Sequence, residues 1–377
     1  MDHMTILKSA EEIERMLRDG YDKKTIAKKM KDFSEQAFSI AKAKIKNARE
    51  NKIDNSFLFD EEDLRYCTNQ QIAEYRAERL KCDTIVDIGS GIGVQAIEFA
   101  KKCSKVIAVE IDERKIEYSR INAKIAGVEN IEFVNEDAIK ALDKIKIADI
   151  VFWDPERPET EKERGIASLK PSFSELIKKA RKITPNIAVE LPPQIEKSKM
   201  KEDCEFEYVS LNNQLNRLNV YLGKLKKCRI SVVSLPSKER LEYKNEKIAN
   251  LIKEKEVKTY LYEVDDAIIK SGLVEYFTSG LNASILQTSN KTYLTSDEAI
   301  NSSFLKRYKV ITQVEHRKMK EALNKNGFGK VILHGRIDDT RYATIRKNLE
   351  TGLRGKETAH LFLNEDNAVI TISENKP

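Results

Sequence analysis

The run Val86-Asp87-Ile88-Gly89-Ser90-Gly91-Ile92-Gly93 constrains this chain more than any other stretch. It reads as a buried strand, a glycine-rich turn and the entry to a helix over residues 94–102. Glycines at alternate positions let the backbone turn tightly and lie against a ligand with no side chain between. The helix behind the turn points its free N–H groups and positive end into the same space.

Such a turn suits a pyrophosphate, or the carboxylate and sulfonium end of S-adenosylmethionine (SAM). The residues that follow bear on the choice. A second apolar strand, 105–109, ends at Glu110, where a carboxylate accepts from both hydroxyls of a ribose. A third, 131–134, runs into Asn135-Glu136-Asp137-Ala138, and a fourth, 148–153, into Asp154-Pro155-Glu156-Arg157-Pro158. Helical patterns alternate with these strands, for example 113–126 with Gly127 as its stop. Strand–helix alternation predicts a doubly wound parallel sheet, in which ligands bind beyond the carboxyl ends of the strands. All the residues named fall at those ends. The spacing G-x-G-x-G departs from the dinucleotide fingerprint, G-x-G-x-x-G.

Strand-D-x-G-x-G-x-G followed by E, D and D-P resembles class I SAM-dependent methyltransferases. The resemblance implies an α/β fold, a Rossmann-like class I methyltransferase sheet that is parallel with a closing antiparallel hairpin, and SAM as cofactor. It implies that Asp87, Gly89, Gly91 and Gly93 pass close to the methionine part and that Glu110 holds the ribose. Ile111 would pack on the adenine, Asp137 accept from its amino group, and the Ala138 backbone meet the ring. Thr68 and Gln70, at the entry to a helix over 71–80, would touch the methionine carboxylate. Simpler roles stand beside these: turn capping for Asp87, a solvated loop acid for Glu110, and helix capping for Thr68, Gln70 and Asp137.

Related enzymes with Asp/Asn-Pro-Pro-aromatic after the fourth strand hold an exocyclic amine with a side-chain oxygen and the next backbone carbonyl. Asp154 and Pro155 match those roles. Glu156 replaces the second proline, no aromatic follows, and Trp153 precedes the aspartate. Asp154, Pro155 and Glu156 are the candidate catalytic residues, and Asp154 is also counted among the cofactor-binding ones. Trp153 is either a core residue or a stacking platform. Arg157 either meets a base or phosphate or pairs with nearby glutamates.

Residues 306–356 hold fourteen Lys/Arg against five Asp/Glu, a net of +9 in a chain of +6, so the remainder is −3. That concentration suits a surface that follows phosphates, or a solvated face. Arg317, Lys318, Lys330, Arg336, Arg341, Arg346, Lys347 and Arg354 are candidate RNA contacts. Strand and helix patterns from 259 onward resemble methyltransferases carrying a C-terminal THUMP-like domain, which implies a structured RNA (rRNA or tRNA) as partner. The expected transfer is to a base of that RNA, at an exocyclic amine nitrogen. Methylation of a protein or small metabolite, and a SAM-fold binding protein without transfer, are the other readings.

The expected domains are a helical N-terminal segment (1–55), the methyltransferase domain (56–235), a connector with short α/β elements (236–304) and a small, basic α+β module (305–377). Ser9 to Glu12 match a helix capping box. Residues 205–211 and 217–222 read as the closing hairpin, and 236–256 as charged and helix-prone. No apolar stretch is long enough for a membrane span, and no signal-peptide core opens the chain. Five scattered cysteines and four histidines match no metal motif. A cytoplasmic protein without membrane or metal is therefore expected, and the oligomeric state is open.

Overall fold

The computed structural model of the 377-residue chain describes residues 3–155, 166, 169–244, 253–254, 256–286, 292–335, 337–364 and 367–374. Glu156, Arg157 and Arg336 lie outside them. The chain forms two compact units, Met1–Glu205 with Asn219–Lys227, and Phe206–Leu218 with Cys228–Pro377. Among the described residues no helix is long and apolar enough to cross a membrane.

The first unit opens with helices α1 (His3–Arg18), α2 (Lys23–Lys29), α3 (Glu35–Glu50), α4 (Glu61–Tyr66) and α5 (Gln70–Arg79). Ile6, Ala10 and Ile13 of α1 share one buried cluster with Ile26, Ala37 and Ile40. The capping box expected at Ser9 is therefore absent. The apolar spacing begins at Ile6, so burying that residue carries the helix upstream through Ser9. Side-chain caps do stand elsewhere. Asp22 accepts from the Thr25 amide at 2.8 Å, and Asp60 and Asp63 form a reciprocal capping box on α4.

Five parallel strands follow: β1 (Thr84–Ile88), β2 (Lys105–Glu110), β3 (Ile131–Asn135), β4 (Ile150–Trp153) and β5 (Ile187–Leu191). Helices α6 (Val94–Ala100), α7 (Glu113–Ile125), α8 (Ala138–Lys144) and α9 (Phe173–Ala180) alternate with them. The order is β3-β2-β1-β4-β5. β4 and β5 are buried at every position, as a sheet covered on both faces requires. β2 lies on one side of β1 and β4 on the other, so the direction of winding reverses there. Ligands of open α/β sheets bind at such a switch point.

The second unit takes in most of β6 (Glu205–Leu211) and the start of β7 (Gln214–Tyr221), which are neighbours, and β8 (Ile230–Leu235), which pairs parallel with β6. Asn212 and Asn213 both take positive φ, +53° and +63°, so a two-residue turn replaces the longer connection expected between β6 and β7. The final strand of this group, β9 (Glu239–Tyr243), pairs antiparallel with β8. Within the helix-prone stretch 236–256, residues 239–243 are thus a strand and not a helix. Pairing along the edge of β8 outweighs the helix propensity of Glu, Arg and Lys.

An eight-stranded sheet completes this unit. It comprises β10 (Lys253–Glu254), β11 (Tyr260–Val264), β12 (Ser284–Leu286), β13 (Tyr293–Ser296), β14 (Leu305–Glu315), β15 (Phe328–His334), β16 (Glu357–Leu363) and β17 (Asn367–Ser373). Its order is β10-β12-β13-β11-β14-β17-β16-β15. Helices α10 (Asp266–Ser271), α11 (Val274–Ser279), α12 (Met319–Lys325) and α13 (Asp339–Glu350) accompany it. Leu323, Leu349 and the inward residues Val331, Leu361 and Ile370 bury one face.

Candidate active site

The turn after β1 is held from three sides. The amides of Gly89 and Ser90 both donate to the Val109 carbonyl, at 2.9 and 3.1 Å, and the Gly93 amide donates to the Ser90 carbonyl at 3.0 Å. The buried Asn122 amide on α7 donates to the carbonyls of Ile92 and Leu58, both at 3.0 Å. Gly89 and Gly93 have φ of +78° and +88°. A Cβ at Gly89 would lie 2.7 Å from the Asp154 carbonyl oxygen, and one at Gly93 2.2 Å from Ser119 Oγ. A Cβ at Gly91 would meet nothing within 4 Å. The turn is therefore packed behind its outer glycines and open at the middle one.

Glu110 ends β2 and is only 4% exposed, so it is not a solvated loop acid. Its Oε2 accepts from the Gly91 amide at 2.8 Å and its Oε1 from the Asp112 amide at 2.9 Å. These bonds orient the carboxylate. Ile111 beside it is 64% exposed, an apolar side chain left uncovered next to an acid. The Asn135 side chain donates to the carbonyls of Glu110 and Ile111, at 3.0 Å each, and fixes the loop between β2 and β3. Asp137 caps α8: its Oδ1 accepts from the amides of Ile139 and Lys140 at 3.0 and 3.1 Å. Ala138 follows as the first residue of α8. Thr68 is buried and Gln70 half-buried. Neither side chain caps α5, because Asn69 does so by accepting from the Gln71 amide at 2.9 Å.

Beneath the turn lies a buried charge network. Asp87 is 1% exposed and its Oδ2 has no hydrogen-bond partner. Burial, then the neighbouring Asp154 and Glu110, push its carboxyl up to about 8, against the pull of Arg76. Arg76 is wholly buried. It binds Glu190 directly, Gln95 Oε1 at 2.7 Å and Asn219 Oδ1 at 3.0 Å, and lies over the Phe152 ring at 4.7 Å. Burial works against its charge, but Glu190, Tyr221 and Asp154 together hold the guanidinium firmly protonated. Motif spacing did not single out Arg76, Glu190 or Asn219. They lie far apart in the chain, and only the pairing of acid and base types could have hinted at them.

Asp154 follows β4, and its amide donates to the Ile88 carbonyl at 3.2 Å, which sets it beside the turn. Pro155 next to it is buried. Trp153 is 2% exposed and packs on Phe173, with ring centroids 6.3 Å apart. Of its two expected roles it takes the core one, because β4 is covered on both faces. In the second unit, Arg341 and Arg346 are solvent-facing on α13, and Arg346 Nε pairs with Glu350 at 2.9 Å. Arg317 pairs likewise with Glu315 at 2.5 Å. Some of the expected RNA-binding charge is thus partly neutralised.

The strand-end residues fit SAM. The open side at Gly91 admits a ligand, the oriented Glu110 carboxylate stands beside it, and Ile111 offers an apolar contact.

Comparison with known proteins adds the following. The sequence model of a family described as RNA cap guanine-N2 methyltransferase matches residues 82–277, more than half of the chain. A 65-residue segment is 42% identical to the probable ribosomal RNA small subunit methyltransferase A of Thermococcus gammatolerans, covering 17% of this chain and 22% of that one. A 77-residue segment is 38% identical to an uncharacterized RNA methyltransferase of Fusobacterium nucleatum, covering 19% and 17%. Another, of 56 residues, is 41% identical to an uncharacterized protein of Methanocaldococcus jannaschii, covering 15% and 22%. The chain thus spans about a fifth of the length of the curated relatives it matches. In fold, it aligns along its whole length with a crystal structure from Porphyromonas gingivalis described as a methyltransferase. The TM-score is 0.76, at 15% identity and full coverage of both chains.

Proposed function

Because the chain belongs to the RNA cap guanine-N2 methyltransferase family, with SAM as its cofactor, we propose that it methylates the exocyclic N2 amine of a guanine in structured RNA. One observation carries this reading. The glycine turn, Glu110, Asp137 and Asp154 stand at the carboxyl ends of adjacent strands β1, β2, β3 and β4, around the switch point of the sheet.

Bound SAM supplies a methyl group on an already activated sulfonium. The work left to the protein is alignment. Glu110, oriented by the Gly91 and Asp112 amides at the end of β2, accepts from the ribose hydroxyls. Ile111 covers one adenine face, and Asp137 Oδ2 and the Ala138 backbone meet the adenine edge. Gly89, Gly91 and Gly93 let the backbone approach the methionine part, with Thr68 and Gln70 at its carboxylate and Asp87 beneath the turn.

At the acceptor, the side-chain oxygen of Asp154 and the Pro155 carbonyl accept from the two N–H groups of the amine. Held out of the ring plane, the nitrogen recovers its lone pair for attack on the methyl carbon. Arg76 places a buried positive charge beside Asp154 and Asp87. Glu156 and Arg157, which follow Pro155 in sequence, are assigned to the acceptor base. The basic C-terminal module, read as THUMP-like, grips the RNA backbone through Arg336, Arg341 and Arg346, and the target base is drawn from a loop or end where it can be splayed out. The site of action is the cytoplasm.

Incubation with methyl-labelled SAM and unmodified total RNA tests the reading. Label recovered as N2-methylguanosine is expected. Label found only in protein or small molecules, or SAM binding without any transfer, would overturn it.

A further inference from the structure

The amino ends of β1 and β2, opposite the candidate active site, carry a second chemical feature. Thr84 pairs with Lys105 in the parallel register of these strands. Continued back by two residues, that register brings Cys82 beside Cys103, and the even offset sets both side chains on one face. Their sulfurs lie 3.8 Å apart in hydrogen-bonding contact. Cys82 is half-buried, and Cys103 is 6% exposed. Both line a surface depression of about 660 Å³, together with Lys81, Lys101, Lys102 and Asp149.

We propose that Cys82 and Cys103 are an oxidisable dithiol, a modification site at which a peroxide closes a disulfide between the starts of β1 and β2. Cys103, Cys204 and Cys228 are all buried, but only Cys103 has a second thiol at bonding reach among the described residues. A hydrogen bond from Cys82 lowers the Cys103 thiol to about 7, against burial and the charges of Asp149 and Asp83. Near neutral pH Cys103 is therefore partly present as the thiolate, the nucleophilic form.

The chemistry balances within the pair and one peroxide. The thiolate sulfur attacks a peroxide oxygen, the O–O bond breaks, and one water leaves a sulfenic acid. The second thiol attacks that sulfur, the S–O bond breaks, and a second water departs with the disulfide formed. Two thiols lose two electrons and two protons, and one peroxide is reduced to two waters. The new bond encloses the glycine turn and α6 in a covalent loop. It requires the sulfurs to close from 3.8 Å to about 2.05 Å, a shift that rotation about the side chains of two strand ends allows.

The test uses the full reduced chain treated with roughly tenfold hydrogen peroxide, then alkylated and examined by intact mass and non-reducing peptide mapping. The expected result is a loss of about two mass units, alkylation of three of the five cysteines, and a cross-linked peptide containing Cys82 and Cys103. Dithiothreitol should restore all five thiols. Cys82→Ser and Cys103→Ser should each abolish the cross-link and acquire oxygen at the remaining thiol. Oxygen addition without a cross-link in the unsubstituted chain, a link between other cysteines, or no reaction would each overturn the proposal.

Discussion

Gly89 and Asp154 touch: a Cβ on the glycine would sit 2.7 Å from the aspartate's carbonyl oxygen. The contact follows from the register of β1 and β4, in which Ile88 lies opposite Trp153 and the next residue of each strand comes side by side. The residue that opens the ligand turn thus also sets the backbone of the residue assigned to the acceptor amine.

Gly89→Ala should damage both functions at once. An alanine at φ +78° carries a left-handed penalty of about 1–2 kcal/mol, and its methyl must displace Asp154. We expect weaker SAM binding and slower transfer, read by titration and by single-turnover rates. An affinity and a rate both within twofold of the parent would contradict the packing described.

Asp154→Ala should separate binding from transfer. Loss of one positioned hydrogen-bonding group at a reacting centre costs about 10²- to 10³-fold in kcat. SAM affinity should stay near the parent value. Normal turnover at saturating SAM would remove Asp154 from the acceptor site.

Asp87 predicts a pH signature. Its carboxyl is held at about 8 in the folded chain, above the ordinary 3.8. Between those values the folded state binds more protons than the unfolded one, so this group's contribution is present at low pH and is lost as pH rises toward 8. The slope is at most about 1.4 kcal/mol per pH unit. Asp87→Asn should therefore gain stability relative to the parent as pH rises from 5 to 8. Urea denaturation at several pH values measures this, and a constant difference would refute it.

Arg76→Leu leaves Glu190 charged and buried without its partner. Removing one member of such a pair costs about 3–5 kcal/mol. Adding Glu190→Leu should recover much of that loss. If the single substitution leaves the urea midpoint unmoved, the network carries no stability.

Reversal of Arg341 and Arg346 to glutamate should weaken RNA binding and shallow its dependence on salt, by roughly one unit of log–log slope per lost phosphate contact. Filter binding across a salt series reads the slope directly. An unchanged slope would place the RNA elsewhere on the protein.

The fold was most legible where its cause is local. Glycine spacing and the apolar runs of β1 to β5 announce themselves, since strand burial and turn conformation depend on neighbouring residues. The strand-end acids were legible for the same reason. What escaped depends on distance along the chain. Arg76 meets Glu190 across 114 residues and Asn219 across 143. Ser9 was misread because a local capping pattern yielded to tertiary burial of Ile6, and Trp153 was ambiguous because its exposure is decided by Phe173 of α9.

The clamp made by Asn122 bears on where this protein can be cut. That one amide grips Leu58 and Ile92 together, and Arg76 reaches up from α5, whereas the family resemblance begins only at residue 82. A fragment trimmed to that boundary would keep the whole glycine motif and Asn122 yet lose Leu58, the other end of the clamp, and Arg76, a buried cation beneath the acids. The leading helices therefore behave as scaffolding for the ligand cradle, and anyone designing a minimal enzyme from this chain must carry them along.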